Sequence, residues 1–153
     1  MNNLAIHSIH LPTISLTPKL SLEVQPGVIH LCGSNGSGKT SYLKACAGLL
    51  PYDGDCVIQG ASLRKDPVAY KLQLGYCPDQ YEFLENITAQ QYLEFVSHAY
   101  GLSGDVSRVA DDSIELGFQP FWKTRVSALS YGNRKKLLLL ASRLNSPWLG
   151  PWK

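Results

Sequence analysis

Residues 33–40 read GSNGSGKT and fit the pattern G-x-x-x-x-G-K-[S/T]. The run before them, GVIHLCG (27–33), is apolar apart from His30 and predicts a strand covered on both faces, with His30 as a packing residue. After them, TSYLKACAGLL (40–50) sets Tyr42, Leu43, Ala45, Cys46 and Ala47 on a helical repeat, and Gly48 supplies a stop. A strand that passes through a glycine-rich turn into a helix is the setting in which this pattern binds phosphate. Glycines are needed where anion oxygens crowd the main chain, and the N–H groups of the loop and helix start then point at the anion, aided by the helix dipole. Lys39 would bring a point charge to the β- and γ-phosphates, and the Thr40 hydroxyl would complete a Mg²⁺ shell. The candidate binding set is Gly33, Ser34, Asn35, Gly36, Ser37, Gly38, Lys39, Thr40 and Ser41. Such a loop by itself does not choose among kinases, GTPases and ATPases.

The rest of the composition sets bounds. With 153 residues, 44% of them apolar and 17% charged, the chain has room for one domain with a sizeable core. Its net charge of +2 is too small to argue for a nucleic acid or a membrane surface. The distribution is uneven: residues 1–115 hold seven Lys or Arg against all twelve acids, a balance of −5, while residues 116–153 hold seven Lys or Arg and no acid. Arg134, Lys135 and Lys136 fall at a helix start, where a solvated face is expected. Cys32, Cys46, Cys56 and Cys77 form no C-x-x-C pair and have no histidine cluster beside them, so neither zinc nor a disulfide framework is expected. They read as small buried hydrophobes in a reducing cytosol. Neither a leader peptide nor a membrane span is expected from the sequence.

Outward from the loop, LAIHSIHL (4–11) and KLSLEV (19–24) alternate like half-buried strands of a short antiparallel sheet. DGDCVIQG (53–60) reads as turn, strand and turn, and KLQLGYCP (71–78) as a further strand halted by Pro78. From residue 84 the pattern becomes helical. TAQQYLEFVSHAYG (88–101) opens with a capping box, Thr88 with Gln91, and sets Tyr92, Leu93, Phe95, Val96 and Ala99 toward the core. VSRVADDSIELG (106–117) and SYGNRKKLLLLASRLN (130–145) are two more helices.

The second decisive stretch is LSYGN, Leu129–Asn133, which resembles the LSGGQ signature of the ATP-binding cassette of ABC transporters; only Tyr131 and Asn133 depart from it. SLEVQPGVIHLCGSNGSGKTSYLKACAGLL (21–50) is similar to that family's first core strand, loop and helix, and LGYCPDQYEFLENITAQQYLEF (74–95) to its Q-loop region and the start of its helical subdomain. The resemblance runs from about residue 20 to 147 and implies an α/β P-loop NTPase fold: a RecA-like core with an antiparallel β subdomain, a helical signature subdomain and an incomplete C-terminal part. It implies a β subdomain and loop core over 1–83, a helical subdomain over 84–144 and an aberrant tail over 145–153. Ser130 would cap the signature helix and Gly132 would keep its end open to the γ-phosphate held by a second cassette, giving a head-to-tail dimer around ATP and Mg²⁺. A separate transmembrane permease subunit is the other implied partner, with the cassette peripheral on the cytoplasmic face and no nucleic acid involved. The Q-loop glutamine aligns with Asp79, with Gln80 next to it, so Thr40, Asp79 and Gln80 are the candidate metal contacts. For the aromatic that stacks on adenine the chain offers only His7 or His10.

In the family the signature helix leads into an apolar strand ending in Asp and Glu, and a histidine follows. Here NSPWLGPWK (145–153) starts that course, but Gly150 and Pro151 break it and no acid or histidine follows. The expectation is a truncated cassette, exporter-like in its Q-loop region, with no catalytic residue assigned, which binds ATP but hydrolyses it poorly. The alternatives are a nucleotide-binding fragment that does not hydrolyse and a soluble cassette ATPase outside transport.

Overall fold

The computed structural model describes residues 4–11, 20–25, 27–79, 81–82 and 84–145. The chain divides into two compact units, Met1–Gln73 and Leu74–Lys153.

In the first unit, strands β1 (Leu4–His10), β2 (Leu20–Val24), β3 (Asp53–Ile58) and β4 (Ala61–Ser62) form an antiparallel sheet in the order β2-β1-β3-β4. Ile6 and Ile9 sit at odd spacing, which strict alternation would send to opposite faces, yet both are buried. The ladder resolves this with a register shift, between Ile6 and Ile9 against β2 and between His7 and His10 against β3, so that the strand changes parity and keeps both side chains in the core. Gln59 and Gly60 both have positive φ, the two-residue turn that matches strand twist, and it joins β3 to β4.

Helix α1 (Lys39–Cys46) starts at Gly38 and ends as expected at Gly48, whose φ is +68°. There the Leu49 N–H donates to the Lys44 carbonyl at 2.8 Å and closes the last turn. Helix α2 (Pro67–Lys71) was not expected from the sequence. Its signals are local and legible all the same: Asp66 accepts from the Ala69 N–H at 3.0 Å, and Pro67 occupies the first helical position. Tyr70 of α2 is fully buried and donates to the Cys46 carbonyl at 2.8 Å, tying the two helices together.

Two expected strands do not form. Residues 28–34 have no ladder, Val28 is fully exposed, and His30 is exposed rather than packed, its Nδ1 lying 3.3 Å from the Cys32 Sγ. KLQLGYCP gives the end of α2, a turn at 72–73 and irregular chain over 74–78. An apolar run becomes a strand only where another strand pairs with it, and among the described residues neither run has one.

The second unit is helical, with α3 (Ala89–Ala99), α4 (Ala110–Glu115) and α5 (Tyr131–Leu144). The capping box is present in full: Gln91 N–H donates to Thr88 Oγ1 at 3.2 Å, and Thr88 N–H to Gln91 Oε1 at 2.9 Å. Leu93 is in the core, whereas Phe95 is exposed, contrary to its expected inward face. Leu137, Leu140, Ala141 and Leu144 make one buried stripe on α5, packed against Leu93, Val109 and Phe118. Asp112 of α4, which is buried, and Arg143 of α5, whose side chain is 9% exposed, form a two-pronged ion pair at 2.8 and 3.1 Å.

Candidate nucleotide-binding site

The GSNGSGKT loop lies in the first unit. Gly36 and Gly38 have φ of +81° and +89°, values that L side chains rarely adopt. Gly33 comes so close to Ser37 that a Cβ would sit 2.7 Å from its Oγ. Ser37 N–H donates to the Ser34 carbonyl at 3.2 Å and folds the loop back on itself. Because Gly38 is the N-cap and has no side chain to give, nothing from the cap residue covers the first turn of α1. The first intrahelical bond is Tyr42 N–H to the Gly38 carbonyl at 2.9 Å, which leaves the N–H groups of residues 38–41 without intrahelical partners. They surround a concavity of about 300 Å³ lined by Asn35, Gly36, Gly38, Lys39, Thr40 and Ser41.

Lys39 Nζ donates to the carbonyls of Gly33 at 2.7 Å and Ser34 at 2.8 Å, so its charge is held against the loop beside that concavity. The Thr40 side chain is exposed at the helix start. Two glycine conformations, a run of N–H groups at a helix amino end, one ammonium and one hydroxyl suit a polyphosphate chelated to a divalent cation.

LSYGN lies in the second unit. Ser130 caps α5, accepting from the Asn133 N–H at 3.3 Å, and a Cβ on Gly132 would meet nothing within 4 Å. This end of the helix is open. Arg134, Lys135 and Lys136 do not form the expected solvated face; all three are half-buried. Arg134 bonds the carbonyls of Leu129 and Ser127 and pairs with Glu85 at 3.2 Å. Lys135 donates to the Pro78 carbonyl at 2.9 Å, the Asp79 carbonyl at 3.1 Å and Asp79 Oδ1 at 3.2 Å, with the rings of Tyr81 and Tyr131 at 5.1 and 5.7 Å. Desolvation opposes the Lys135 ammonium, but the Asp79 hydrogen bond and the field of Tyr131 outweigh it and raise its pKa. Tyr131, one of the two departures from LSGGQ, therefore helps to enclose the cation that fastens residues 78–79 to the signature helix. The sequence reading missed Lys135; its one local sign is a lysine one turn after an aromatic, at i and i+4.

Of the proposed metal contacts, Thr40 lies in the first unit, Asp79 is committed to Lys135 in the second, and Gln80 is outside the described residues. Among the described residues no three His, Cys, Asp or Glu side chains gather as a metal cluster. His10 Nδ1 lies 3.7 Å from Asp53 Oδ2; the side chain of His7 is not among those described. The expected tail, residues 145–153, falls outside the described residues from 146 onward.

The sequence pattern of the family described as "ABC transporter" matches residues 18–149. The chain belongs to that family. The ABC match takes in both the phosphate loop and LSYGN. Phospholipid-transporting ATPase ABCA7 of Homo sapiens is 30% identical over 133 residues, 84% of this chain and 6% of that protein. ABC-type transporter ATP-binding protein EcsA of Bacillus subtilis is 28% identical over 134 residues, 85% of this chain and 54% of that protein. The chain thus spans about half the length of its bacterial relative EcsA. A solved structure described as "Structure of ATP binding subunit of ABC transporter" superposes with a TM-score of 0.81 at 24% identity, over 93% of this chain and 62% of the other. The fold is that of an ABC ATP-binding domain, a P-loop NTPase, represented here by an antiparallel sheet, the loop and its helix, and a helical signature unit. Among the described residues no helix is long and apolar enough to cross a membrane.

Proposed function

We propose that the chain binds ATP with Mg²⁺ as the ATP-binding part of an ABC transporter, and that it works beside a second cassette and a separate transmembrane permease at the cytoplasmic face of a membrane. In that assembly ATP binding and hydrolysis would drive transport, of the exporter type. The observation that carries the reading is the loop itself: Gly36 and Gly38 in left-handed conformations, and Lys39 poised beside a concavity ringed by main-chain donors. Lys39 and the N–H groups of residues 38–41 would hold the phosphates, and Thr40 would meet the metal. Bound Mg²⁺ would offset phosphate charge and orient the chain of phosphates. The open, Ser130-capped end of α5 would face the γ-phosphate of the second cassette. Support for a role in transport comes from the relatives' names, which include a phospholipid-transporting ATPase and a probable multidrug ABC transporter ATP-binding protein; the exporter type rests on the likeness of residues 74–95 to that branch of the family.

Equilibrium binding of a fluorescent ATP analogue with Mg²⁺ tests the reading. Lys39→Ala should weaken binding by about tenfold or more, the usual worth of a charge-assisted hydrogen bond. Equal binding by wild type and variant would refute it.

A further inference from the structure

The sequence led to four buried cysteines, but Cys32 and Cys77 are exposed. Cys32 is paired with an imidazole: its Sγ lies 3.3 Å from His30 Nδ1 and 3.8 Å from the His30 carbonyl oxygen. His30 is exposed as well, and residues 28–34 form no ladder, so both side chains can be reached from solvent. The pair stands at the entrance to the phosphate loop. Cys32 is joined directly to Gly33, whose carbonyl holds the Lys39 ammonium at 2.7 Å. A thiol that has an imidazole in hydrogen-bond reach and a cation nearby is the arrangement of a reactive cysteine. The proposed function uses neither His30 nor Cys32.

We propose that Cys32 and His30 form a thiol modification site that reacts with a low-molecular-weight disulfide of the oxidised glutathione class, and that the group left on Cys32 turns down nucleotide binding at the adjoining loop. With its proton on Nε2, His30 presents Nδ1 as an acceptor. It takes the Cys32 proton as Sγ attacks one sulfur of the incoming disulfide. A bond forms between Cys32 Sγ and that sulfur, the S–S bond of the reagent breaks, and the leaving thiolate receives the proton from the imidazolium. The products are a mixed disulfide on Cys32 and one free small thiol, and His30 is again neutral. The Cys32 sulfur is oxidised and one sulfur of the reagent is reduced, so no other oxidant is needed. Glutathione on Cys32 brings carboxylates to the loop, where they compete with phosphate for the Lys39 ammonium. This regulatory part rests on the function proposed above; the modification site does not.

The test incubates the reduced 153-residue chain with oxidised glutathione, stops the reaction at intervals with an alkylating agent in denaturant, and maps the peptides by mass. Cys32 should gain glutathione about tenfold or more faster than the equally exposed Cys77, while the buried Cys56 stays free. His30→Ala and the bulkier His30→Phe should both slow Cys32 about tenfold and leave Cys77 as it was, with a free Cys56 reporting that the first unit is still folded. Equal rates at Cys32 and Cys77 in the wild type, or an unchanged Cys32 rate in both folded variants, would overturn the site. The wild-type comparison decides even where a variant fails to fold. In Cys77→Ser, binding of the fluorescent ATP analogue with Mg²⁺ is then compared before and after modification, and glutathione on Cys32 should weaken it about tenfold. Equal binding by both forms would overturn the regulatory part. Binding by neither form would refute the nucleotide reading and the regulatory part together, and the labelling rates would still decide the site.

Discussion

Gly38 serves two purposes: with φ of +89° it turns the chain, and as a capping residue without a side chain it leaves the first N–H groups of α1 facing outward. Gly38→Ala should cost about 1–2 kcal/mol in stability from the left-handed backbone, and in addition should weaken nucleotide binding by crowding the phosphates. Chemical denaturation beside ATP titration reads the two effects separately. Elsewhere, Asp112 and Arg143 show what a largely buried pair demands. Asp112→Ala would leave the Arg143 guanidinium largely buried without its counter-charge, at about 3–5 kcal/mol. Replacing both by apolar residues of similar size should recover most of that loss, measurable by the same denaturation. Of the two loop glycines with positive φ, Gly38 was legible because the motif itself names it, whereas Gly36 fills one of the motif's free positions. The Asp112–Arg143 pair was not legible, because its partners are 31 positions apart and nothing in either local sequence announces the other.

At the level of elements, the longer helices were readable, and two expected strands did not form. A capping box, a Ser cap and a stripe at i, i+3, i+4 and i+7 are local, so Thr88, Ser130 and the leucines of α5 declare themselves within one or two turns. The run 27–33 has strand composition, but a strand is completed only by a neighbour, and no local signal says whether one is present. Helix α2 escaped notice because five residues are too few for a periodic pattern, although Asp66 and Pro67 mark its start. Segment 74–78 passes so closely over α5 that a Cβ on Gly75 would collide with the Ser142 carbonyl. Gly75→Ala should therefore destabilise the second unit by about 1–3 kcal/mol. Lys135 fastens the same segment by its end. Lys135→Met should speed amide hydrogen exchange at Asp79, Tyr81 and Glu82 and leave the α3 core unchanged, whereas uniform exchange across the unit would contradict a local tether.

Across the whole molecule, the charge asymmetry of the sequence has a structural counterpart in the second unit. Glu85, Asp79 and Asp112 come from the acid-bearing part of the chain, and Arg134, Lys135 and Arg143 from the acid-free end; the three pairs bind α5 to the segments that precede it. Three of the seven positive side chains at that end of the sequence thus serve as internal counter-charges. The first unit carries the opposite feature, an open apolar groove bordered by Ile29, Leu43 and Leu22, all exposed. A patch of this kind should bind an apolar fluorescent dye such as anilinonaphthalene sulfonate under native conditions, and Leu43→Glu should abolish the signal. The central claim concerns the loop at the start of α1. Its most direct test is to follow backbone amides of the ¹⁵N-labelled chain by NMR as ATP with Mg²⁺ is added. The resonances of residues 34–41 should shift together at one affinity, and Lys39→Ala should remove the effect; shifts confined to other residues, or none at saturating ATP, would contradict the assignment of this chain as a nucleotide-binding cassette.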